Sequence, residues 1–449
     1  MDDRNGLRDD LLGGRARIGV WGNGFIGFST LANFANNGVE GIGYDIDEEI
    51  VETINEGSVP IDTLEHWLGF DTDELVQSGL MGATTDHTEL LAEDVRVHFV
   101  CVPTERDGEP WAAPLRETVD RIRTGPWAET EESVLLIIES TLTPGMAEAV
   151  VRPTFEASEM VVGEDVFFGV APRRDWFTSP DKSLSDIPRV FGGVDGQATE
   201  EMSDVLGIVT EDLIEATDHE HAEMVKSVEN AYRHMGITLA NQLARAYPDR
   251  DVREVLELAA TKWNIPAYYP SVGVGGYCIP LSSKYVLSGA TNEEELSLLR
   301  EAVRSDNSQP AVVAEAVAGS SVETVTILGL AYKGDVKVDV LSPTIDLVEE
   351  FQRHGVDVRV NDPYFDDDYV EEKTGAASVD FPNGLTGTEA VIIAAGHRRY
   401  HYTQHDKIID RLEECSLVLD SPRVWDDVDF RGSDIEYYYT GAKGWLGES

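Results

Sequence analysis

The sequence predicts an α/β protein: two doubly wound, parallel-sheet domains joined by a helical middle with a long central helix. Three observations carry that prediction. Apolar runs bounded by turn residues alternate with helical stretches through the first half of the chain, the pattern of a parallel sheet with crossover helices. The stretch from Asp218 to Tyr247 then holds no proline and one glycine, Gly236. After Pro310 the alternating pattern starts again.

Taken in order, residues 1–14 are polar and glycine-containing and read as a flexible leader. Arg17 to Trp21 reads as a short buried strand, followed by Gly22-Asn23-Gly24-Phe25-Ile26-Gly27 and a helical run to Asn37. Gly38 stops that helix, and Gly41 to Ile46 is the next strand, with Asp45 near its end. Val95–Val102, Ser133–Glu139 and Val166–Val170 are further strands of the same sheet. In the Pro-free stretch, Met224, Val228, Ala231, Met235 and Leu239 recur at helical spacing. A continuous helix there would run about 45 Å and is expected to bridge domains. Strand candidates after Pro310 are Val325–Leu330, Val356–Asn361, Ala390–Ala394 and Ser416–Leu419. The first turn of this second sheet, Gly329-Leu330-Ala331-Tyr332-Lys333, lacks the dinucleotide spacing. The expected division is a leader over 1–14, a Rossmann-like cofactor domain over 15–212, a helical domain over 213–310 and a smaller α/β domain over 311–449.

Composition narrows the function classes. The chain carries 84 acidic against 35 basic residues, a net charge of −49 spread along its whole length. Nine of the basic residues are lysine. Such a surface repels itself at ordinary ionic strength, whereas molar salt shortens the Debye length to about 3 Å and removes most of that penalty. A halophilic, salt-accumulating cytoplasm is therefore expected, and nucleic acid and anionic membrane are poor partners. No run approaches a membrane span, and the acidic N-terminus is unlike a secretory signal. Three cysteines, Cys101, Cys278 and Cys415, without a Cys-x-x-Cys pair fit a reducing compartment and give no support to structural zinc.

The Gly22–Gly27 segment is weak evidence alone, but here it follows a strand, opens a helix and is trailed by Asp45. Gly22 permits the tight turn, Gly24 lets backbone approach a pyrophosphate, and Gly27 lets helix and strand pack closely. Phe25 and Ile26 open the helix whose N-terminus favours anionic phosphates. Asp45 is placed to accept from the adenosine ribose and to repel a 2′-phosphate, which predicts NAD rather than NADP.

Val274-Gly275-Gly276-Tyr277-Cys278-Ile279-Pro280 sets a cysteine directly after a glycine-rich turn. A thiolate there would attack an aldehyde carbon to form a thiohemiacetal; a buried, inert cysteine is the competing reading. Cys101 and Cys415 lie in apolar strand contexts and read as buried. Lys226 and Asn230, four apart, share one helical face.

Together these motifs resemble the nucleotide-sugar 6-dehydrogenases, the family of UDP-glucose, UDP-N-acetylmannosamine and GDP-mannose dehydrogenases. The resemblance runs in order from about Arg15 to Trp425. It includes Gly22–Gly27 with Asp45, Cys101-Val102-Pro103-Thr104, and Glu139-Ser140-Thr141 followed by Pro144-Gly145. It continues with Arg189-Val190-Phe191-Gly192-Gly193, Lys226 with Asn230, and the Cys278 turn. Gly329–Lys333, Ser342-Pro343 and Asp362-Pro363-Tyr364 complete it.

The resemblance implies a four-electron oxidation of a sugar C6 alcohol to a carboxylate with two NAD in turn, on a homodimer or higher homo-oligomer. By position, Cys278 would be the nucleophile, Lys226 and Asn230 would polarise the C6 oxygen, and Thr141 would orient a water or the hydroxyl. Pro103, Thr104 and Thr141 would border the cofactor; Gly275 and Lys333 would contact the sugar nucleotide.

Three positions depart from the family pattern. Ser282 stands where an acidic residue is usual, Arg173 replaces the Glu of a Pro-Glu pair, and Val340 replaces an arginine. Ser282 would leave Lys226 with less charge compensation. Arg173 would lower the Cys278 pKa and bind an anionic group of the substrate. The alternative function is a catalytically impaired paralogue that binds NAD and nucleotide sugar in a regulatory or assembly role. The Ala171–Arg174 and Val272–Cys278 segments favour a UDP-N-acetylhexosamine such as UDP-N-acetylmannosamine over UDP-glucose.

Overall fold

The computed structural model describes residues 6–129, 133–158, 160–175, 177, 183–319 and 322–446. The chain divides into two compact units. One comprises Met1–Glu229 with Lys284–Thr291, the other Asn230–Ser283 with Asn292–Ser449. The division falls inside the long helix His219–Ala246, and again inside the helix Ile279–Ser288 that follows Cys278.

The first unit is built on an eight-stranded sheet. Its strand order is Met81–Thr84, Gly41–Tyr44, Arg17–Trp21, Val95–Val100, Val134–Ile138, Val166–Val170, Arg189–Gly193, Leu213–Glu215. All neighbours are parallel except Val166–Val170 with Arg189–Gly193. The inner strands read as uninterrupted apolar runs because helices cover both faces, leaving no solvent side for polar alternation. The chain leaves Arg17–Trp21 towards one edge and later returns beside it as Val95–Val100. That reversal opens a crevice outside the carboxyl ends of these two strands, the place where such sheets hold ligands.

One expectation about this unit fails. The supposed leader contains a helix, Leu7–Leu12, whose Leu7 and Leu11 are buried in the unit's core. Asp10 fastens it by ion pairs to Arg15 and Arg96. Two leucines four apart are enough to seat one helical turn, and the surrounding charge masked them in the sequence. Residues 1–5 of the expected leader lie outside the described residues.

The second unit carries a six-stranded parallel sheet, ordered Ala377–Ser378, Asp357–Asn361, Thr324–Leu328, Ala390–Ile393, Leu417–Asp420, Glu436–Tyr438. Its reversal lies between Thr324–Leu328 and Ala390–Ile393. The loop after Thr324–Leu328 is tied to its neighbours by Asp362, whose Oδ2 accepts from the Leu330 and Ala331 amides at 2.8 Å each. His397 Nδ1 accepts from the Asp335 amide, so its Nε2–H donates to Asp362 at 3.0 Å.

The long helix buries polar residues alongside small apolar ones. Glu223, Ser227, Asn230, His234, Thr238 and Asn241, spaced three and four apart, are buried together with Ala222, Ala231, Ala240 and Ala244. The larger apolar residues Met224, Tyr232 and Leu239 are exposed, as is Tyr247 just past the helix end. Met224 and Leu239 thus mark the helix in the sequence but are exposed in this chain. Most of the buried polar groups meet a partner, as burial requires. Asn241 Oδ1, for example, accepts from the Ser271 amide at 2.8 Å.

Glu223 illustrates the cost of such a stripe. Its carboxylate accepts from the amides of Gly145 (2.6 Å) and Ala147 (2.8 Å), at the start of the helix Met146–Glu156. Burial outweighs these bonds and pushes its pKa up to about 7. The folded state therefore keeps this proton where the unfolded chain, with an ordinary carboxyl, has lost it. The associated stability is present below the ordinary carboxylate pKa and is lost as pH rises through about 7. Glu223→Gln is expected to remove that part of the loss. Melting curves of both proteins between pH 5 and 8 check this: parallel slopes in the two would contradict it.

Candidate active site

The cofactor crevice assembles from the ends of adjacent strands. Gly22 adopts a left-handed φ of +86°, and a Cβ there would lie 2.8 Å from the Cys101 carbonyl oxygen. A Cβ on Gly27 would fall 1.8 Å from the Gly22 carbonyl oxygen, so the helix Phe25–Asn36 meets the strand only through glycine. Gly24 caps that helix, and a Cβ there would meet no atom within 4 Å. Open space in front of helix-end amides is what a pyrophosphate needs. The Asn23 side chain is buried, and neither its oxygen nor its nitrogen has a hydrogen-bond partner.

Asp45 follows the strand Gly41–Tyr44. One of its oxygens accepts from the Asn23 amide at 2.6 Å and the other from the Asp47 amide at 3.0 Å. Each oxygen keeps a lone pair, so the carboxylate is pre-oriented for a pair of ribose hydroxyls. On the other side of the crevice Thr104 Oγ1 donates to the Thr141 carbonyl, joining the loops after Val95–Val100 and Val134–Ile138. Tyr285 clamps the same loop, its hydroxyl donating to the Thr104 carbonyl at 2.6 Å. Nothing in the local sequence singles out Tyr285, which lies far along the chain from Thr104.

The second unit holds the cysteine. Gly276 has φ +86°, and a Cβ there would strike the Tyr332 ring. A Cβ on Gly275 would lie 2.7 Å from both the Leu341 carbonyl oxygen and Tyr332 Cβ. The Gly276 amide donates to the Val340 carbonyl at 2.7 Å. The glycines therefore let the cysteine turn lie flat on the Tyr332 and Val340–Pro343 loop, which merges three sequence motifs into one surface. Cys278 is exposed at the end of this turn. Burial raises the Tyr332 hydroxyl pKa, and the charge of Cys278 raises it further. Lys333 is depressed, by burial first and then by Arg233. Asn230 Nδ2 donates to Ser282 Oγ at 3.0 Å, and the Ser282 amide donates to the Cys278 carbonyl at 3.2 Å. Asn230 and Cys278 are thus linked through one turn of helix.

Three family models cover most of the chain in the same order. The NAD binding domain of the UDP-glucose/GDP-mannose dehydrogenase family matches residues 16–208, its central domain 220–309 and its UDP binding domain 326–427. The chain belongs to the UDP-glucose/GDP-mannose dehydrogenase family.

The dehydrogenase is 31% identical to UDP-N-acetyl-D-mannosamine dehydrogenase of Pyrococcus horikoshii over 406 residues, which cover 87% of this chain and 92% of that one. The UDP-N-acetyl-D-mannosamine dehydrogenase of Escherichia coli is 26% identical, over 91% of this chain and 99% of its own. The solved Pyrococcus horikoshii structure matches with a TM-score of 0.81 at 26% identity, covering 95% of this chain and 99% of that one. The dehydrogenase is an NAD-dependent oxidoreductase acting on a nucleotide sugar, and the crevice fits that cofactor by its open Gly24 cradle and pre-oriented Asp45.

Asp45→Ala is expected to raise the KM for NAD roughly tenfold, the worth of a lost hydrogen bond to a charged group, and to narrow the preference over NADP. Steady-state KM values for both cofactors check this. An unchanged NAD:NADP ratio would contradict the role given to Asp45.

Arg173 does not behave as the sequence suggests. It is buried, and its five N–H donors are all taken. Nε and Nη2 bond Asp175, Nη1 bonds the Ile26 carbonyl and Thr30 Oγ1, and the remaining Nη2 proton goes to Ser29 Oγ. Burial opposes its charge, but Asp175 and Glu139 outweigh it and hold the pKa above the usual arginine value. No donor is left for an anionic substrate group. Its charge acts on Cys101, which burial and Glu139 push well up despite Arg173. Glu139 is also fully buried and paired with Arg189 and Thr30, so two arginines and two carboxylates form a neutral cluster beneath the cofactor helix. Asp175 is held below the ordinary carboxylate range: burial opposes this, Arg173 dominates it, and Lys226 adds to it.

Proposed function

We propose that the preferred substrate is a UDP-N-acetylhexosamine, with UDP-N-acetylmannosamine first, and that the C6 alcohol is carried to the acid on Cys278. The exposed cysteine at the end of a turn held by Gly275, Gly276 and Ser282 carries this reading. The Ala171–Arg174 and Val272–Cys278 segments and the named relatives support the choice of sugar.

The Gly22–Gly27 turn and Asp45 would hold two NAD in turn, each of which would supply one hydride acceptor for one of the two oxidations. Lys226 and Asn230 stabilise negative charge developing on the C6 oxygen as the alcohol proton leaves. The Cys278 thiolate adds to the aldehyde carbon to give a thiohemiacetal, whose oxidation leaves a thioester. Water oriented by Thr141 cleaves the thioester, releasing the carboxylate and restoring the thiol. Lys333 and the backbone at Gly275 hold the diphosphate or sugar, and Pro103 would border the cofactor. Comparing kcat/KM for UDP-N-acetylmannosamine, UDP-N-acetylglucosamine, UDP-N-acetylgalactosamine and UDP-glucose tests the sugar. A clear preference for UDP-glucose would overturn that part.

We further propose a homodimer built on the long helix. The exposed Tyr232, Leu239 and Tyr247 supply a partner face that a second copy of the same helix would cover. A monomer by light scattering in molar KCl would count against it. No described helix is long and apolar enough to cross a membrane. The charge of −49 supports a salt-rich cytoplasm as the working compartment. The melting temperature is expected to climb as KCl rises toward the molar range, and a fall would contradict this.

A further inference from the structure

Directly behind the cysteine turn, entirely within the second unit, lies a buried Ser–His–Asp group. His234 Nδ1 is 2.8 Å from Ser283 Oγ, and His234 Nε2 is 3.1 Å from Asp306 Oδ2. All three side chains are buried, Ser283 completely. That burial excludes the hydrolytic reading such a constellation invites, because no acyl group can reach the serine.

The connections point elsewhere. The second carboxylate oxygen of Asp306 accepts from the Val274 amide at 3.2 Å, four residues before Cys278. Ser283 lies five residues after it, on the helix Ile279–Ser288. Ser282, its neighbour, takes a hydrogen bond from Asn230, one turn before His234 on the long helix. Asp306 and His234 therefore fasten the cysteine turn on both flanks, and two consecutive serines dock it to two successive turns of one helix.

We propose that His234, with Asp306 and Ser283, is a positioning device that sets the height and orientation of Cys278 against Asn230. Asp306 accepts from His234 Nε2–H, which fixes the imidazole orientation. Nδ1 then accepts from the Ser283 hydroxyl and anchors the middle of the helix that follows the thiol. The same device explains how the turn is held where Ser282 replaces the usual acidic residue. Hydrogen bonding to Asn230 and His234 supplies the tether that an ion pair would otherwise give.

This inference rests on Cys278 being the nucleophile, and the test separates the two claims. Full-length wild type, Ser283→Ala and Asp306→Asn are compared, with Cys278→Ala as the blank. The readouts are kcat, KM for NAD and for UDP-N-acetylmannosamine, melting temperature, and the rate of iodoacetamide alkylation at Cys278. Both variants are expected to keep the NAD KM within about twofold and to lose about tenfold in kcat, the size of a lost orientation of a reacting group. Both should also change the alkylation rate by about threefold or more. Ser283→Ala removes only a hydroxyl and keeps the test open should Asp306→Asn unfold. Wild-type alkylation and kcat in Ser283→Ala would overturn the positioning role, as would a loss of kcat with unchanged alkylation. Turnover by Cys278→Ala would instead overturn the nucleophile itself.

Discussion

Cys278→Ala is expected to reduce NADH formation by at least about a thousandfold with any nucleotide sugar, while NAD binding stays intact. The reason is structural as well as chemical. Cys278 is exposed at the end of a turn whose neighbouring glycines exist to seat it on Tyr332 and Val340. Trimming the side chain from CH2SH to CH3 at this exposed position is expected to cost little stability. On the proposed covalent route the aldehyde then goes untrapped, the second oxidation has no thiohemiacetal to act on, and the first returns to alcohol. Isothermal titration with NAD separates this from misfolding: wild-type affinity with absent turnover is the expected pair. Turnover within tenfold of wild type would contradict the covalent route.

The second large effect is expected at Gly27. An alanine Cβ would sit 1.8 Å from the Gly22 carbonyl oxygen, far inside contact distance and against backbone that cannot step aside. The helix Phe25–Asn36 would have to lift off the sheet, taking with it Phe28, Leu31 and Phe34 from the first unit's core. Gly27→Ala should therefore lose several kcal/mol, as severe overpacking does, and with it folded protein at 37 °C. Gly24→Ala is the matched control. Its Cβ would meet nothing, so that variant should melt near wild type yet bind NAD poorly, because the methyl occupies the phosphate cradle. Circular dichroism melts and NAD titrations of the pair give the check. Equal behaviour of the two variants would contradict the division of labour between the glycines.

The parts legible in the sequence are those whose chemistry is local. Gly22, Gly24 and Gly27 follow one another in a single turn, so their spacing states the strand–turn–helix geometry directly. The strand Arg17–Trp21 and the helix His219–Ala246 also fall where hydrophobic runs and the absence of proline put them. Groups brought together over long separations were not legible. Tyr285 reaches Thr104 from far along the chain, and Asp306 reaches His234 and Val274 from another helix.

Arg173 misled for a related reason. Its position in a familiar motif suggested a cation beside a catalytic thiol. Its actual partners, Asp175 and Glu139, make it a neutralised strut under the cofactor helix. The long helix carries the same lesson in another form. Periodicity finds an apolar stripe but does not say which side the chain covers, and here the covered side is Glu223, Asn230, His234 and Asn241. This helix buries polar residues together with small alanines and leaves Tyr232 and Leu239 outside.

The most direct test of the central claim is the ratio of NADH formed to sugar consumed, followed by absorbance in molar KCl with UDP-N-acetylmannosamine and excess NAD. Four-electron oxidation on Cys278 predicts about two NADH per sugar and a uronic acid product, with neither formed by Cys278→Ala. One NADH per sugar with an accumulating aldehyde, or the same ratio from the cysteine variant, would contradict it.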